Sequence, residues 1–274
     1  MLLALTLYLM IRYANVDGQL REPVMGLKGT CPGCNKSLIA KCGLIKIHHW
    51  AHKGRIDCDP WWEHITQWHL DWQNNFAPEW REVIFQDDRS GEIHRADIHT
   101  PNGVTIEFQH SPLSLKEFES RNTFYKKLIW VVNAQPFEEY FIFTNATPNP
   151  QSPLLTNYNF MVDAKGFAKS PRFYIKDEYK WNGQKSLLRS FTLEDHELRS
   201  VAEEYGKSEK LYWLFNWNNK RSEWLKSGAP VFLDFGNESL YLIRQRQQEP
   251  TSLLYLQVVG KKDFLAKYAS QADN

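Results

Sequence analysis

The chain is short of cysteine, of long apolar runs, of net charge and of repeats, and each shortage excludes something. Four Cys among 274 residues, with no secretory signal, argue against a disulfide-built extracellular scaffold. They point instead to a reducing cytoplasm and to metal binding. The opening MLLALTLYLM is apolar for only about ten residues before Arg12, too short for a membrane span. It also lacks a basic n-region and a small-residue cleavage site, so it reads as a buried strand rather than a signal peptide. No other run is long enough to cross a bilayer, and no membrane partner is expected. Net charge is only +1, so the overall balance argues neither for nor against nucleic acid. No internal repeat and no low-complexity tract interrupts the chain.

What is present is ordinary globular material: 42% hydrophobic and 24% charged residues, enough for one large domain or two smaller ones. Local charge says more than the total. Between Lys28 and Arg55 there are six Lys/Arg and no acid, enough for one basic surface patch; a merely solvated face is the competing reading.

The stretch Arg95 to Ser111, RADIHTPNGVTIEFQHS, carries the densest chemistry. Pro101 suits position i+1 of a type I turn and Asn102 the next position. Gly103 suits the left-handed residue that closes a three-residue hairpin. With that loop Thr100 pairs with Val104, Ile98 with Ile106, Asp97 with Glu107, and Arg95 with Gln109. Alternation then gives an apolar face of Ala96, Ile98, Ile106 and Phe108 to lie on a core. Arg95, Asp97, Glu107 and Gln109 share the other face. A solvated polar side is the ordinary reading of such a face, but two acids directly opposite one another weaken a sheet. A divalent cation between them turns that cost into a binding site. A two-residue Asn-Gly loop would instead put Asp97 and Glu107 on opposite faces.

Around the hairpin the pattern predicts a mixed α+β order. Residues 1 to 58 read as short strands and turns. Asp59-Pro60 starts a helix over 60–77, with Trp61, Ile65, Trp68, Trp72 and Phe76 at helical spacing. Strands follow at 82–87, 93–99 and 104–109. Ser114, with Glu117 three residues on, caps a second helix to Tyr125, and Leu128 to Val132 is a buried strand. Beyond lie a strand at Tyr140 to Thr144, a helix near 193–205 with Thr192 as N-cap, a hairpin at 231–243 turning at Gly236-Asn237, and a short closing helix. Trp213, Trp217 and Trp224 could stack nucleobases, though core packing is the commoner use of such residues. This divides the chain into an N-terminal module (1–58), a core (59–145) and a C-terminal α+β region (146–274).

Cys31-x2-Cys34 and His49-x2-His52 have the ligand types and roughly the spacing of a structural zinc site. Pro32-Gly33 makes the tight knuckle that aims two thiolates at one ion. Cys42, His48 and Cys58 are alternative ligands. A CPGC redox pair and plain buried thiols are the competing readings, but a redox motif opens a helix after a strand, and Lys36 to Ile47 does not read that way.

The segment from Trp61 to Ala134 resembles the nuclease-like domain of the competence protein CoiA family, a branch of the PD-(D/E)XK phosphodiesterase superfamily. Trp68-His69, His94-Arg95-Ala96-Asp97, Ile106-Glu107-Phe108-Gln109-His110-Ser111, Arg121, Tyr125 and Ile129-Trp130-Val131-Val132 carry the resemblance in order. CPGC and HHWAH upstream are similar to the family's zinc-finger-like segment. The resemblance implies a PD-(D/E)XK nuclease-like core behind a zinc-ribbon-like module, and a Mg²⁺- or Mn²⁺-dependent nuclease acting on DNA. Asp97 and Glu107 would hold the ion, assisted by the Phe108 carbonyl, and Gln109 would orient the attacking water. His69 on the first helix, on one ridge with Thr66 and Gln73, would be a further ligand or a satisfied boundary histidine; Glu63 is a weaker one. Arg95, Arg121 and Tyr125 would contact phosphate or brace the carboxylates. The superfamily usually has Lys where Gln109 stands, and a neutral amide cannot stabilise developing negative charge as an ammonium does. The implied role is processing or recombining incoming DNA, or defence against foreign DNA. A DNA-binding protein that keeps the fold without cutting, gripping single-stranded or branched DNA, is the alternative, and a zinc-stabilised adaptor a third.

Overall fold

The computed structural model describes residues 10–54, 58–59, 65–87, 91–161, 170–176, 189–209, 211–218 and 222–270. The strand expected at the very start, the helix beginning at Pro60 and the weak site residue Glu63 lie wholly or partly outside them. The chain divides into two compact units, residues 1–130 with 265–274, and residues 131–264. The fold is mixed α+β. Among the described residues no helix is long and apolar enough to cross a membrane.

The first unit opens with a five-stranded ribbon. Its strands are β1 (Ala14–Val16), β2 (Gln19–Arg21), β3 (Lys28–Thr30), β4 (Ser37–Lys41) and β5 (His49–His52), in the order β2-β1-β3-β4-β5. Strands this short bury little, and the ribbon's core is a small cluster of Ile11, Ala14, Val16, Cys31, Leu38 and Trp50. The Trp50 indole N–H is satisfied by the Arg21 carbonyl at 2.9 Å. A core of this size is marginal without a metal or disulfide.

Helix α1 (Gln67–Gln73) follows, capped by Thr66, whose hydroxyl accepts the His69 N–H. It is shorter than the periodicity predicts. Its aromatic stripe survives: Trp72 stacks on Phe108 at 5.5 Å and Phe76 lies against the same ring. Such pairs contribute about 0.5–1.5 kcal/mol beyond burial. The buried Arg12 guanidinium donates to Gln73 (2.8 Å) and Asn74 (2.6 Å) and pairs with Glu22 (2.9 Å), fixing the helix end.

Strands β6 (Arg81–Gln86), β7 (Ile93–His99) and β8 (Thr105–Gln109) form an antiparallel meander. Ser114 then caps α2 (Leu115–Phe124) by accepting the Glu117 N–H, as the sequence predicts, worth about 1 kcal/mol. Strand β9 (Leu128–Asn133) completes the row β9-β8-β7-β6. The hairpin turn is the expected one: Gly103 has φ +73°, and the Thr100 N–H donates to the Val104 carbonyl at 2.9 Å. The polar face is not solvated, however. Every residue of β8 is buried, Glu107 and Gln109 included, because α1 covers Phe108 on one face and α2 sets Arg121 against Glu107 on the other.

The second unit holds β10 (Phe141–Thr147), β11 (Tyr158–Phe160), β12 (Phe173–Ile175), α3 (Arg199–Lys207), β13 (Tyr212–Trp217), α4 (Ser222–Leu225), β14 (Val231–Asp234), β15 (Ser239–Arg246), β16 (Leu253–Gly260) and the first half of α5 (Lys261–Tyr268). Its main strands run β10-β13-β16-β15-β14. Leu155, Phe160, Phe173, Phe191, Leu198, Val201, Leu253 and Tyr255 form one of its buried clusters. The Arg246 guanidinium pins the loop over them through the carbonyls of Pro150, Leu155 and Tyr158. Helix α3 starts later than the sequence predicts, since Thr192 does not cap it. Its N–H and hydroxyl instead donate to the Asp195 carboxylate, and its hydroxyl accepts the Glu194 N–H, closing a local turn that precedes the 3-10 turn at His196–Leu198. Trp217 and Trp224 are buried and Trp213 half-buried, the core use rather than a stacking platform.

Candidate metal centres

The zinc-type centre is built on the ribbon. After β3 the chain turns through Cys31-Pro32-Gly33-Cys34, with the Asn35 N–H on the Cys31 carbonyl (2.9 Å) and the Cys31 N–H on Lys36 (2.8 Å). Asn35 completes the knuckle at φ +57°, a conformation its short polar side chain tolerates. Two thiols thereby face one point. His52, ending β5, brings Nε2 to 3.2 Å from Cys34 Sγ, and Cys58 Sγ lies 3.8 Å from both Cys31 Sγ and that same nitrogen. All four ligand atoms lie within 4.8 Å of one another. Zn–S bonds of about 2.3 Å in a tetrahedron put sulfurs about 3.8 Å apart, so the cluster has the size of a Zn²⁺ site. The hydrogen bond between Cys31 and Cys58 holds the Cys31 thiol below its usual value and pushes that of Cys58 up. Such a proton is released when metal binds.

One ligand differs from the set first expected. His49 and His52 are three residues apart on a strand, and alternation puts them on opposite faces. His49 turns away, its Nδ1 against the Ile47 carbonyl at 2.8 Å, and Cys58, an alternative in the sequence, takes the fourth place. Cys42 and His48 are not among the four.

The carboxylate site lies across β7, β8 and α1. Pairing follows the expected register through His99↔Thr105 and Ile98↔Ile106. There the ladder stops. The next hydrogen-bonded pair would join Phe108 to Ala96. Instead the Phe108 N–H donates to Asp97 Oδ2 at 2.7 Å, so Asp97 is not simply opposite Glu107 but reaches between the strands. From α1, His69 Nε2 stands 3.9 Å from Asp97 Oδ2, and Gln73 Nε2 donates to Oδ1 at 3.4 Å. Thr66 Oγ1 holds His69 Nδ1 at 3.1 Å. The structure thus brings Thr66, His69 and Gln73 together around one carboxylate that keeps 23% side-chain exposure.

Glu107 is buried and meets Arg121 at 2.9 Å, which also reaches Glu117 at 2.6 Å. Arg121 therefore braces carboxylates from inside rather than presenting its charge to a ligand. Tyr125 is buried as well, and burial, then the Glu107 charge, pushes its hydroxyl well above the usual range. Gln109 is buried, with its amide nitrogen donating to the Ser111 carbonyl at 2.9 Å. Arg121→Met should destabilise the fold by about 3–5 kcal/mol by stripping a buried charge of its partner. In urea denaturation the double change Arg121→Met/Glu107→Gln should recover most of that loss.

Arg95 joins the two centres. Its guanidinium lies 4.0 Å from Cys31 Sγ on one side and 3.8 Å from Glu82 Oε2 on the other. Burial works against its charge, but Glu82, Asp59 and the thiol sulfurs of Cys31 and Cys58 outweigh it, so its pKa lies above the usual value. It is no surface phosphate contact. Glu82 is the residue that sequence reasoning missed. It sits in mid-strand with φ +49°, strained by about 1–3 kcal/mol for a non-glycine residue. Burial raises its carboxyl, Arg95 opposes that, and Asp97 adds to the rise. An acid in a β-branched run was the one available signal.

No curated protein and no solved structure matches the chain. Residues 24–60, the segment that holds all four sulfur and imidazole ligands, match the family model for the N-terminal domain of competence protein CoiA.

Proposed function

We propose that the first unit is a zinc-stabilised, Mg²⁺-dependent nuclease acting on DNA, with a PD-(D/E)XK-type core. Its work would be in processing incoming DNA during uptake and recombination, or in defence against foreign DNA. The observation that carries the reading is Asp97, a partly exposed carboxylate fixed by the Phe108 N–H, Gln73 and His69 on a strand beside Glu107. The match to a competence-protein domain at residues 24–60 supports a competence-related role.

Two hard carboxylates on neighbouring strands are a donor set that suits Mg²⁺, and Asp97, Glu107 and the Phe108 carbonyl would hold it. When bound, such an ion lowers the pKa of a water and neutralises phosphate charge. The chain's own residues do the positioning. Gln73 and the Phe108 N–H orient Asp97, Arg121 orients Glu107, and the buried His69, steadied by Thr66, stands beside Asp97 Oδ2 as a ligand or proton carrier. With Arg95, Arg121 and Tyr125 turned inward, phosphate contacts fall to other groups.

Gln109 favours a second reading, in which the unit grips single-stranded or branched DNA without cutting it. Its amide carries no charge, and its nitrogen is committed to Ser111. Incubating the full chain with single-stranded, duplex and branched DNA, in Mg²⁺, in Mn²⁺ or without added divalent metal, separates the two. Cleavage only with metal is the expected result. Tight binding without cleavage supports the second reading, and neither binding nor cleavage excludes both.

A further inference from the structure

The two ends of the N-terminal ribbon differ. The Cys31–Cys34 knuckle joins the end of β3 to the start of β4, and His52 closes β5, so the zinc ligands on the sheet share one end. The register Lys28↔Ile39 and Lys41↔His49 places the start of β3, the end of β4 and the start of β5 together at the other end. Two connections meet there: the turn before β3, closed by the Leu27 N–H on the Val24 carbonyl, and the loop from Cys42 to His48.

Both connections hold large aliphatic side chains in solvent. Met25 is 78% exposed, Leu44 107% and Ile45 98%, the three most exposed large hydrophobic residues among those described. Single exposed apolar residues are ordinary; the three most exposed of those described, gathered at one end of one ribbon, are not. Exposed Lys28, Lys41, Lys46 and His48 rim them, and no acid occurs from Lys28 to Arg55.

Aliphatic tips ringed by lysines suit a polyanion that also offers apolar surface. The ribbon's attachment favours DNA. Its zinc end is seated on the strands that carry the carboxylate site: a Cβ on Gly33 would meet Ile93 Cγ2 at 3.0 Å, and Arg95 touches Cys31. The five residues of β4 span about 17 Å, a ribbon about as long as five base pairs of duplex.

We propose that Met25, Leu44 and Ile45 form a wedge that enters DNA where base stacking is already broken, with the flanking lysines on the phosphates. Apolar wedges between base steps are an established way of gripping DNA, and intact stacking opposes them. A gap or fork removes that opposition, so the tip selects broken duplexes. The inference rests on reading the first unit as acting on DNA.

The test uses the full chain and fluorescein-labelled duplexes, intact and gapped, titrated by fluorescence anisotropy without added Mg²⁺. Wild type should prefer the gapped duplex by about tenfold, 1.4 kcal/mol. Leu44→Ser/Ile45→Ser should bind both alike, at the affinity wild type has for the intact one. Lys41→Ala/Lys46→Ala should weaken both equally and reduce the slope of log K against log salt by about 2, roughly one per phosphate contact. These side chains lie in solvent, and unchanged zinc content verifies folding. A serine variant that keeps the preference overturns the wedge alone. Wild type that binds neither duplex overturns the DNA reading beneath it. Wild type that partitions onto phosphatidylglycerol vesicles, with no preference between the duplexes, assigns the tip to lipid and overturns the wedge.

Discussion

Asp97→Asn should lower Mg²⁺-dependent cleavage by about three orders of magnitude while leaving the melting temperature within a few degrees of wild type. The asymmetry follows from what the carboxylate does on each side. Toward the protein, Oδ2 accepts the Phe108 N–H at 2.7 Å and Oδ1 accepts from Gln73 at 3.4 Å. An asparagine carbonyl oxygen can retain the Phe108 bond, so the splayed hairpin keeps its pin. Toward a cation, the change replaces a full charge with a weak neutral donor. A metal's charge stabilisation is worth several kcal/mol, and three decades correspond to about 4 kcal/mol at 1.36 per decade. Single-turnover cleavage of labelled DNA, with thermal melts of the same samples, reads both numbers. Full cleavage by the asparagine variant would rule Asp97 out as a ligand. A collapse of the melt together with activity would make its role structural.

The second large effect is on zinc. Purified protein should hold one Zn²⁺ per chain, and Cys58→Ser should lose it while His49→Ala keeps it. The contrast is sharp because the two residues exchange the places that ligand spacing alone suggests. His49 lies on the far face of β5, whereas Cys58 Sγ stands 3.8 Å from Cys31 Sγ. Structural zinc in small modules supplies about 10–16 kcal/mol, and the ribbon's own core is a handful of side chains around Trp50. Metal loss should therefore unfold residues 10–58 rather than loosen them. Elemental analysis reports the ion, and limited proteolysis reports the unfolding as new cuts between Met10 and Cys58. A Cys58→Ser protein that keeps full zinc and resists protease would remove Cys58 from the centre.

The parts of the first unit that could be read in advance are those fixed by local chemistry. Pro101-Asn102-Gly103 determines its own turn and so the pairs nearest it, and Ser114 with Glu117 determines the start of α2. The ridge of Thr66, His69 and Gln73 follows from helical spacing alone. What could not be read depends on side chains replacing backbone. The Asp97 carboxylate takes a ladder hydrogen bond, which ends the register that counting would continue. Glu82 adopts a backbone region that no propensity assigns to it. The ligand swap at His49 was hidden because His-x2-His suits a helix or a knuckle, and the segment is a strand. In the second unit, Tyr212 to Trp217 is apolar or aromatic at nearly every position, so alternation gives no period to detect. Its pairing with β10 and β16 is far away in sequence.

Arg95 has a practical consequence for anyone dividing this protein. One guanidinium is shared between a sulfur cluster that begins at Cys31 and an acid that lies past residue 80, so a fragment starting at residue 59 would keep the cation and discard half of its counter-charge. The same cut would bare Ile84 and Ile93, where Gly33 is seated. The carboxylate site is thus best studied with its N-terminal ribbon attached, because Gly33 and Cys31 of the ribbon pack against the strands from which the site is built.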